Sequence, residues 1–263
     1  MDFTFMGMDI YSLLIIMMVY SFLGWLYEST IYSILEQRKL MNRGYFLGPY
    51  CPIYSVVCIA SLYLLQGVDS GLQIVIIGGM TCCVIEYITS YVLEKLFDAR
   101  YWDYSAYPLN IDGRVSVISG IFFGLAVLLM DKVLHPFLIE IVGRMSKQTR
   151  AIVGLSCFSI FMIDFIITTV SMCNLNKKCK EIYDHINDYL DNKFELMTDK
   201  SHFLEENINF EKKADITVKL SGMTKRFKEN ETHFLRAYPT FKSTKYAELI
   251  DKIRITSRRK RDS

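Results

Sequence analysis

Three carboxylate side chains lie inside apolar stretches that are long enough to form transmembrane helices. They belong to Glu28, Glu86 and Asp164. An ionisable group in the bilayer core costs about 2.5–3.5 kcal/mol or more, so it usually faces a bundle interior or water and has a partner there. Such a group marks the path of a substrate or ion, or it accepts buried hydrogen bonds from neighbouring Tyr, Ser or Thr. The sequence leaves both interpretations open.

A second group of polar residues lies between positions 101 and 114, where aromatic side chains alternate with carboxylates and an arginine. Asp103, Asn110 and Arg114 are its candidate site residues, and Asp103 can pair with Arg114. Trp and Tyr favour the membrane interface and Gly113 permits a tight turn, so this segment can fold back into the mouth of a helix bundle. An interfacial belt without a binding role is the alternative.

Arg43 and Arg114 each stand shortly before a predicted membrane span. A guanidinium group at such a position binds the phosphate of a lipid or substrate, or it neutralises a carboxylate near a helix end. Glu36 and Glu94 are the carboxylates that fit the second interpretation, which is the more common outcome.

Motifs for catalysis or ATP hydrolysis are absent from the sequence. There is no Gly-x-Ser-x-Gly, no Gly-x4-Gly-Lys-Ser/Thr and no Cys-x-x-Cys, and the four histidines are scattered. We therefore expect no metal site, no cofactor, no nucleic-acid partner and, on balance, no enzymatic activity. An ATP-driven role would require a separate ATPase subunit.

Five apolar runs have about the length that a helix needs to cross a bilayer core. They cover residues 10–35, 50–66, 72–97, 115–134 and 151–172. These runs predict an all-α, polytopic membrane helix bundle over residues 1–172. His135-Pro136 is expected to end the fourth helix, which leaves residues 137–145 as a short amphipathic segment in the membrane interface.

Charge separates this bundle from the rest of the chain. Residues 1–172 contain ten Lys or Arg and thirteen Asp or Glu, whereas residues 173–263 contain twenty and fifteen. The second part is predicted to be a cytoplasmic tail of amphipathic helices, because its apolar residues recur with helical spacing. The two stripes are Ile186, Leu190, Phe194, Met197 and Ile216, Leu220, Met223, Phe227. They pack within the chain or recruit a cytoplasmic partner.

The distribution of Lys and Arg in short loops indicates an orientation. Basic residues follow the first, third and fifth spans, whereas the N-terminus and the loop after the second span have none. The positive-inside rule then places the N-terminus outside and the tail inside a cell membrane. Lys132, Arg144, Lys147 and Arg150 disagree with this arrangement unless the interfacial segment holds them at the lipid headgroups.

A short internal repeat links the first and third spans. Glu28 precedes Leu35-Glu36 at the same spacing at which Glu86 precedes Leu93-Glu94, so the two patterns are offset by 58 residues. The two helices should run in the same direction and open two related hairpins. Convergent use of glutamates near helix ends is the alternative explanation.

Several motifs between positions 20 and 124 occur in one order. They are Gly24-Trp25, Tyr27-Glu28, Asn42-Arg43-Gly44, Gly48-Pro49-Tyr50-Cys51-Pro52-Ile53-Tyr54, Leu93-Glu94-Lys95-Leu96-Phe97, Trp102-Asp103-Tyr104-Ser105 and Asn110-Ile111-Asp112-Gly113-Arg114. Together they resemble the putative ABC-transporter type IV (CmpB-like) family. The resemblance implies a bacterial multi-pass membrane protein of transporter-permease type, and it supplies no catalytic residue.

Three functions fit these observations. The first is a permease-like component that moves an unknown substrate along a polar intramembrane site. The second is an intramembrane enzyme for lipid headgroups, in which Glu28, Glu94 or Asp103 acts as acid or base and an arginine binds phosphate. The third is a scaffold whose tail recruits partners, and assembly into a homo-oligomer is compatible with all three.

Overall fold

The structure, a computed structural model, describes residues 4–34, 42–198, 242–243 and 250. The helices that it describes are Ile10–Tyr27 (α1), Pro52–Leu64 (α2), Gly71–Phe97 (α3), Val117–Leu129 (α4), His135–Gly143 (α5) and Lys147–Thr198 (α6). One π-helical turn, Glu28–Tyr32, extends α1, and another, Met130–Leu134, joins α4 to α5. Three antiparallel pairs of two-residue strands complete the described structure: Thr4–Phe5 (β1) with Met8–Asp9 (β2), Ala99–Arg100 (β3) with Lys242–Ser243 (β6), and Asn110–Ile111 (β4) with Val115–Ser116 (β5).

Four helical stretches are long and apolar enough to cross a membrane. They are Ile10–Ile31, Gly71–Phe97, Val117–Gly143 and Lys147–Asp184. Large apolar side chains such as Met80 and Ile152 are exposed on their outer surfaces, as expected for helices that contact lipid. The prediction of an all-α membrane helix bundle is confirmed. Helix α2 is apolar but has only 13 residues, fewer than the about 20 that span a bilayer core.

The helices pack in the order α6, α1, α2, α3 and α4, and the contact between α3 and α4 is the most extensive. Small residues make this contact close, because a Cβ atom on Gly79 would lie 2.5 Å from the carbonyl oxygen of Gly120. Close backbone approach at small residues is characteristic of helix packing in membranes. Ile16 of α1, Ile74 of α3 and Val127 of α4 belong to the same buried apolar cluster.

The fourth predicted helix continues beyond its predicted end. His135-Pro136 does not break it, because one helical stretch runs from Val117 to Gly143 through the π-turn. Proline lacks a backbone N–H and its ring crowds the carbonyl four residues earlier, and the wider π-turn immediately before Pro136 accommodates both. The Tyr20 hydroxyl also lies 2.8 Å from Nδ1 of His135, so this part of the helical stretch packs against α1. The expected helix break at His135-Pro136 was therefore wrong, whereas an interfacial location for residues 137–145 stays a prediction.

Helix α6 also extends beyond its predicted span, since it runs from Lys147 to Thr198 without a break at Met172. The first apolar stripe of the predicted tail falls on this helix. The second stripe, from Ile216 to Phe227, lies outside the described residues. Strand β6 pairs with β3, so part of the C-terminal region contacts the segment that follows α3.

Asp9 caps α1 and should make stability depend on pH. The Ser12 backbone N–H donates to its carboxylate at 2.9 Å, and Arg150 lies 3.1 Å away. Partial burial opposes ionisation, but the hydrogen bonds from Ser12 and the charge of Arg150 hold the pKa of Asp9 below its ordinary value. This contribution is complete above the unfolded-state pKa of about 3.9 and is lost as the pH falls through the lower folded-state pKa.

We expect Asp9→Asn to keep the cap but to remove this pH dependence, and Asp9→Ala to cost about 1 kcal/mol at neutral pH because the cap is lost. Thermal unfolding of the purified protein in detergent, followed from neutral pH down to below the unfolded-state pKa of about 3.9, checks both. If the unfolding temperature depended on pH in the same way for wild type and Asp9→Asn, Asp9 would not be the source of this pH dependence.

Candidate functional site

Glu28 lies at the end of α1, where two elements supply partners for its carboxylate. The Tyr54 hydroxyl on α2 donates to Oε1 at 2.6 Å, and Nε of the buried Arg43 lies 3.6 Å from Oε2. The backbone N–H of Arg43 donates to Ser29 Oγ at 3.2 Å, which holds the arginine beside the helix end. A Cβ atom on Gly24 would collide with the Tyr54 ring, so the glycine allows this tyrosine to reach Glu28.

Glu86 lies on α3, in the neighbourhood of Glu28. The Tyr104 hydroxyl donates to Oε1 over a long distance of 3.4 Å. The second oxygen, Oε2, is buried and accepts no hydrogen bond, and no cation among the described residues forms an ion pair with Glu86. We call Glu28, Arg43, Tyr54, Glu86 and Tyr104 the paired-glutamate site. It combines two carboxylates with one guanidinium.

Asp164 on α6 has a different environment, in which both carboxylate oxygens are satisfied. It is buried and accepts four hydrogen bonds, two of them from backbone N–H groups of the loop between α1 and α2. The donors are Leu47 N at 3.2 Å, Gly48 N at 2.7 Å, the Tyr50 hydroxyl at 2.9 Å and the Thr168 hydroxyl at 2.8 Å. Asp164 therefore fixes the loop that carries Arg43.

Arg114 precedes α4 and is buried among partners on α3. Its Nη2 donates to Glu94 Oε2 at 2.6 Å and its Nη1 donates to Ser90 Oγ at 3.0 Å. The guanidinium carbon lies 5.6 Å from the ring centres of Tyr87 and Tyr91, which is cation–π geometry. Arg114 therefore neutralises Glu94 at the end of a helix, and two of its nitrogen atoms are hydrogen-bonded to α3.

The remaining predicted site residues of this segment shape its turns. Asp103 accepts hydrogen bonds from the backbone and side chain of Ser105. The Asn110 side chain donates to the Tyr107 carbonyl at 2.8 Å and accepts from the Gly113 N–H at 3.0 Å. Asp112 and Gly113 both have positive φ angles, 52° and 65°, in the tight turn between β4 and β5. This geometry holds the segment that delivers Tyr104 to Glu86.

The geometry can be compared with known protein families. A family model described as Putative ABC-transporter type IV matches residues 15–169, which is more than half of the 263-residue chain. The protein belongs to this family. No curated protein and no solved structure matches the chain.

The matched region of this ABC-transporter type IV protein contains every residue of the paired-glutamate site and also Asp164. Two members of the site, Glu28 and Glu86, were predicted from the cost of carboxylates in apolar helices. The sequence did not predict that Tyr104 donates a hydrogen bond to Glu86, although Tyr104 belongs to one of the motifs that carry the family resemblance. Glu36, which was expected beside Arg43, lies outside the described residues, and the structure places Glu28 near Arg43.

The described part of this family member contains no group of three or more His, Cys, Asp or Glu side chains that could hold a metal ion. Three of its acidic side chains, Asp164, Glu94 and Glu86, have different environments. Asp164 is satisfied by hydrogen bonds, Glu94 is neutralised by Arg100 and Arg114, and Glu86 has a bare oxygen atom.

The Glu94 ion pair provides a prediction for the stability of this membrane domain. Glu94→Gln would leave the buried Arg114 without its carboxylate, and breaking a buried pair costs about 3 kcal/mol or more. Arg100 would lose the same partner, from which it lies 2.9 Å away. We expect a clear fall in the thermal unfolding temperature in detergent.

Glu140→Gln is the matched control for this prediction, because Glu140 forms an exposed i,i+4 pair with Arg144 on α5. Exposed pairs contribute about 0–1 kcal/mol. An equal fall in the unfolding temperature of the two variants would show that Glu94 is not a structural counter-ion of Arg114.

Proposed function

We propose that this member of the ABC-transporter type IV family is a permease-like transporter component whose polar path passes through the paired-glutamate site. The observation that supports the proposal is the buried Oε2 atom of Glu86, which lacks a hydrogen-bond partner. Buried polar atoms are nearly always satisfied, and carboxylates within membrane spans usually mark pathways of substrates or ions. A carboxylate oxygen that accepts no hydrogen bond from the protein is available to a ligand.

The other intramembrane carboxylates provide an internal comparison. Asp164 accepts four hydrogen bonds from one loop and one helix, as expected for a structural residue. Glu94 pairs with two arginines. Glu86 has only the long hydrogen bond from Tyr104, in a region where the chain supplies donors to its other acids. This difference favours a ligand-binding role for Glu86 over a purely structural one.

The same contacts reduce the support for an enzyme that acts on lipid headgroups. Such an enzyme needs an arginine to bind phosphate, and Arg114 is directed to Glu94 and Ser90. Arg43 faces Glu28 and lies in the loop fixed by Asp164. Each guanidinium thus already has a carboxylate partner, which favours transport over lipid-headgroup chemistry at this site.

In this proposal the chain crosses the cell membrane five times, with α2 and its flanking loops as the second crossing. The N-terminus lies outside and the tail lies in the cytoplasm, where a separate ATPase subunit binds. The basic residues after α1, α3 and the apolar part of α6 support this orientation, because short cytoplasmic loops are rich in Lys and Arg.

Affinity purification tests the proposal. The tagged full-length chain is isolated from its own membranes in a mild detergent, and co-purifying proteins are identified and quantified by mass spectrometry. We expect near-stoichiometric recovery of a subunit with ATP-binding motifs, and equal recovery with Glu28→Gln and Glu86→Gln, because these residues lie within the bundle. An unrelated tagged membrane protein from the same cells is the control. Reproducible recovery of the chain alone would refute the permease assignment.

A further inference from the structure

The segment between β3 and α4 presents apolar side chains outward at its tip. Tyr107, Leu109 and Ile111 are 44%, 76% and 60% exposed. We call these three residues the apolar tip. Single exposed apolar residues are common on protein surfaces, but three within five positions form a patch that water solvates poorly. Within the segment, Asp103 and Asn110 hydrogen-bond to neighbouring backbone groups, whereas these three large apolar side chains lie at the surface.

The backbone holds Leu109 outward at an energetic cost. Its φ angle is 52°, in the left-handed region, where a non-glycine residue costs about 1–3 kcal/mol. The Asn110 side chain donates to the Tyr107 carbonyl at 2.8 Å, and the Val117 N–H donates to the Leu109 carbonyl at 3.4 Å. These bonds fix the tip from both sides. A strained backbone that exposes a leucine indicates that the exposed side chain has a partner.

The position of the tip identifies that partner. Val117 is the first residue of α4, and it is half exposed, as are Ile118 and Ile121 on the outer surface of the same helix. The hydrogen bond between Val117 and Leu109 places the tip directly beside the start of this lipid-contacting surface. The apolar tip therefore continues the outward-facing apolar surface of α4 past the start of the helix.

We propose that the apolar tip inserts into the membrane interface beside α4 and anchors residues 98–116 to the lipid. A tip that combines Tyr107 with Leu109 and Ile111 suits the membrane interface, because tyrosine favours the headgroup region and aliphatic side chains favour the acyl boundary. The anchor steadies the segment that carries Tyr104 to Glu86 and Arg114 to Glu94. The anchor proposal is independent of the proposed transport function.

Fluorescence quenching tests the anchor. Leu109→Trp is purified and reconstituted in phosphatidylcholine vesicles with or without bromine on the acyl chains, and the emission of wild type, which contains Trp25 and Trp102, is subtracted. We expect brominated lipid to remove most of the added emission and aqueous iodide to remove little. Asp69→Trp, in the exposed loop between α2 and α3, is the control and should show the opposite preference.

Added emission at position 109 that iodide quenches and brominated lipid does not would overturn the proposal. If Leu109→Trp does not fold, Ile111→Trp is measured in the same way and decides the question. A photo-crosslinking amino acid at position 109 in cells adds a second readout: adducts with lipid support the anchor, whereas a reproducible adduct with a protein overturns it. None of these outcomes alters the co-purification test, so failure of the anchor and failure of the permease proposal can be distinguished.

Discussion

Asp164→Ala is expected to lower the free energy of unfolding by about 3 kcal/mol or more, because each buried donor that loses its acceptor costs about 1–3 kcal/mol. The substitution would leave the N–H groups of Leu47 and Gly48 and the Tyr50 hydroxyl without an acceptor. The loop between α1 and α2 would then lose its attachment to α6. Because the same loop carries Arg43, the site at Glu28 should be disturbed as well.

Thermal and denaturant unfolding of the purified protein in detergent measures this loss. Asp69→Ala, the same substitution at an exposed loop position, should be nearly neutral. Thr168→Val removes only the 2.8 Å hydrogen bond from α6 itself and should cost about 1 kcal/mol. The attachment of the loop to Asp164 would be disproved by an unfolding curve for Asp164→Ala that matches the Asp69→Ala curve.

Glu86→Gln is expected to separate function from stability. Glutamine has nearly the same shape, and Glu86 Oε2 has no hydrogen bond to lose, so the unfolding temperature should stay the same or rise as a buried acid is removed. A ligand that depends on the charge or the acidity of Glu86 would lose an interaction of about 1.5–3 kcal/mol. Coupled activity should therefore fall by roughly one to two orders of magnitude.

The readout is ATP hydrolysis by the complex of this chain with its co-purified ATPase subunit, reconstituted in lipid nanodiscs. Glu140→Gln makes the same chemical change at an exposed pair on α5 and should leave hydrolysis unchanged. If Glu86→Gln hydrolysed ATP at the wild-type rate while it remained bound to the subunit, Glu86 would have no part in coupling.

Much of the bundle could be predicted from the sequence because the bilayer imposes a simple rule on composition. A helix needs a long apolar run, so the residues that break the rule, such as Glu28 and Glu86, are visible as exceptions. The partner of Asp164 could not be predicted in the same way. Its carboxylate binds backbone N–H groups of Leu47 and Gly48, more than 110 positions away, and irregular loop conformations have no periodic signal.

Helix ends were harder to predict than helix positions, because an apolar run stops at the membrane surface whereas the helix can continue beyond it. Helix α6 continues past Met172 into charged sequence, because Lys, Glu and Asp are compatible with helical backbone. At Pro136 the sequence indicated a break, whereas the π-turn before it keeps the helix continuous. A local adjustment of backbone hydrogen bonds is invisible to residue patterns.

Thiol accessibility tests the central claim, that Glu86 lies on a polar path, most directly. In a Cys82→Ala, Cys83→Ala background, Glu86→Cys in native membranes is treated with a membrane-impermeant, charged thiol reagent and analysed by mass spectrometry. Val84→Cys is the control, because Val84 lies two residues away on the lipid-facing side of α3. We predict modification of Cys at position 86 from the aqueous phase and none at position 84. An equally unreactive thiol at both positions, with the ATPase subunit and ATP present, would contradict the account and leave Glu86 as a buried structural residue.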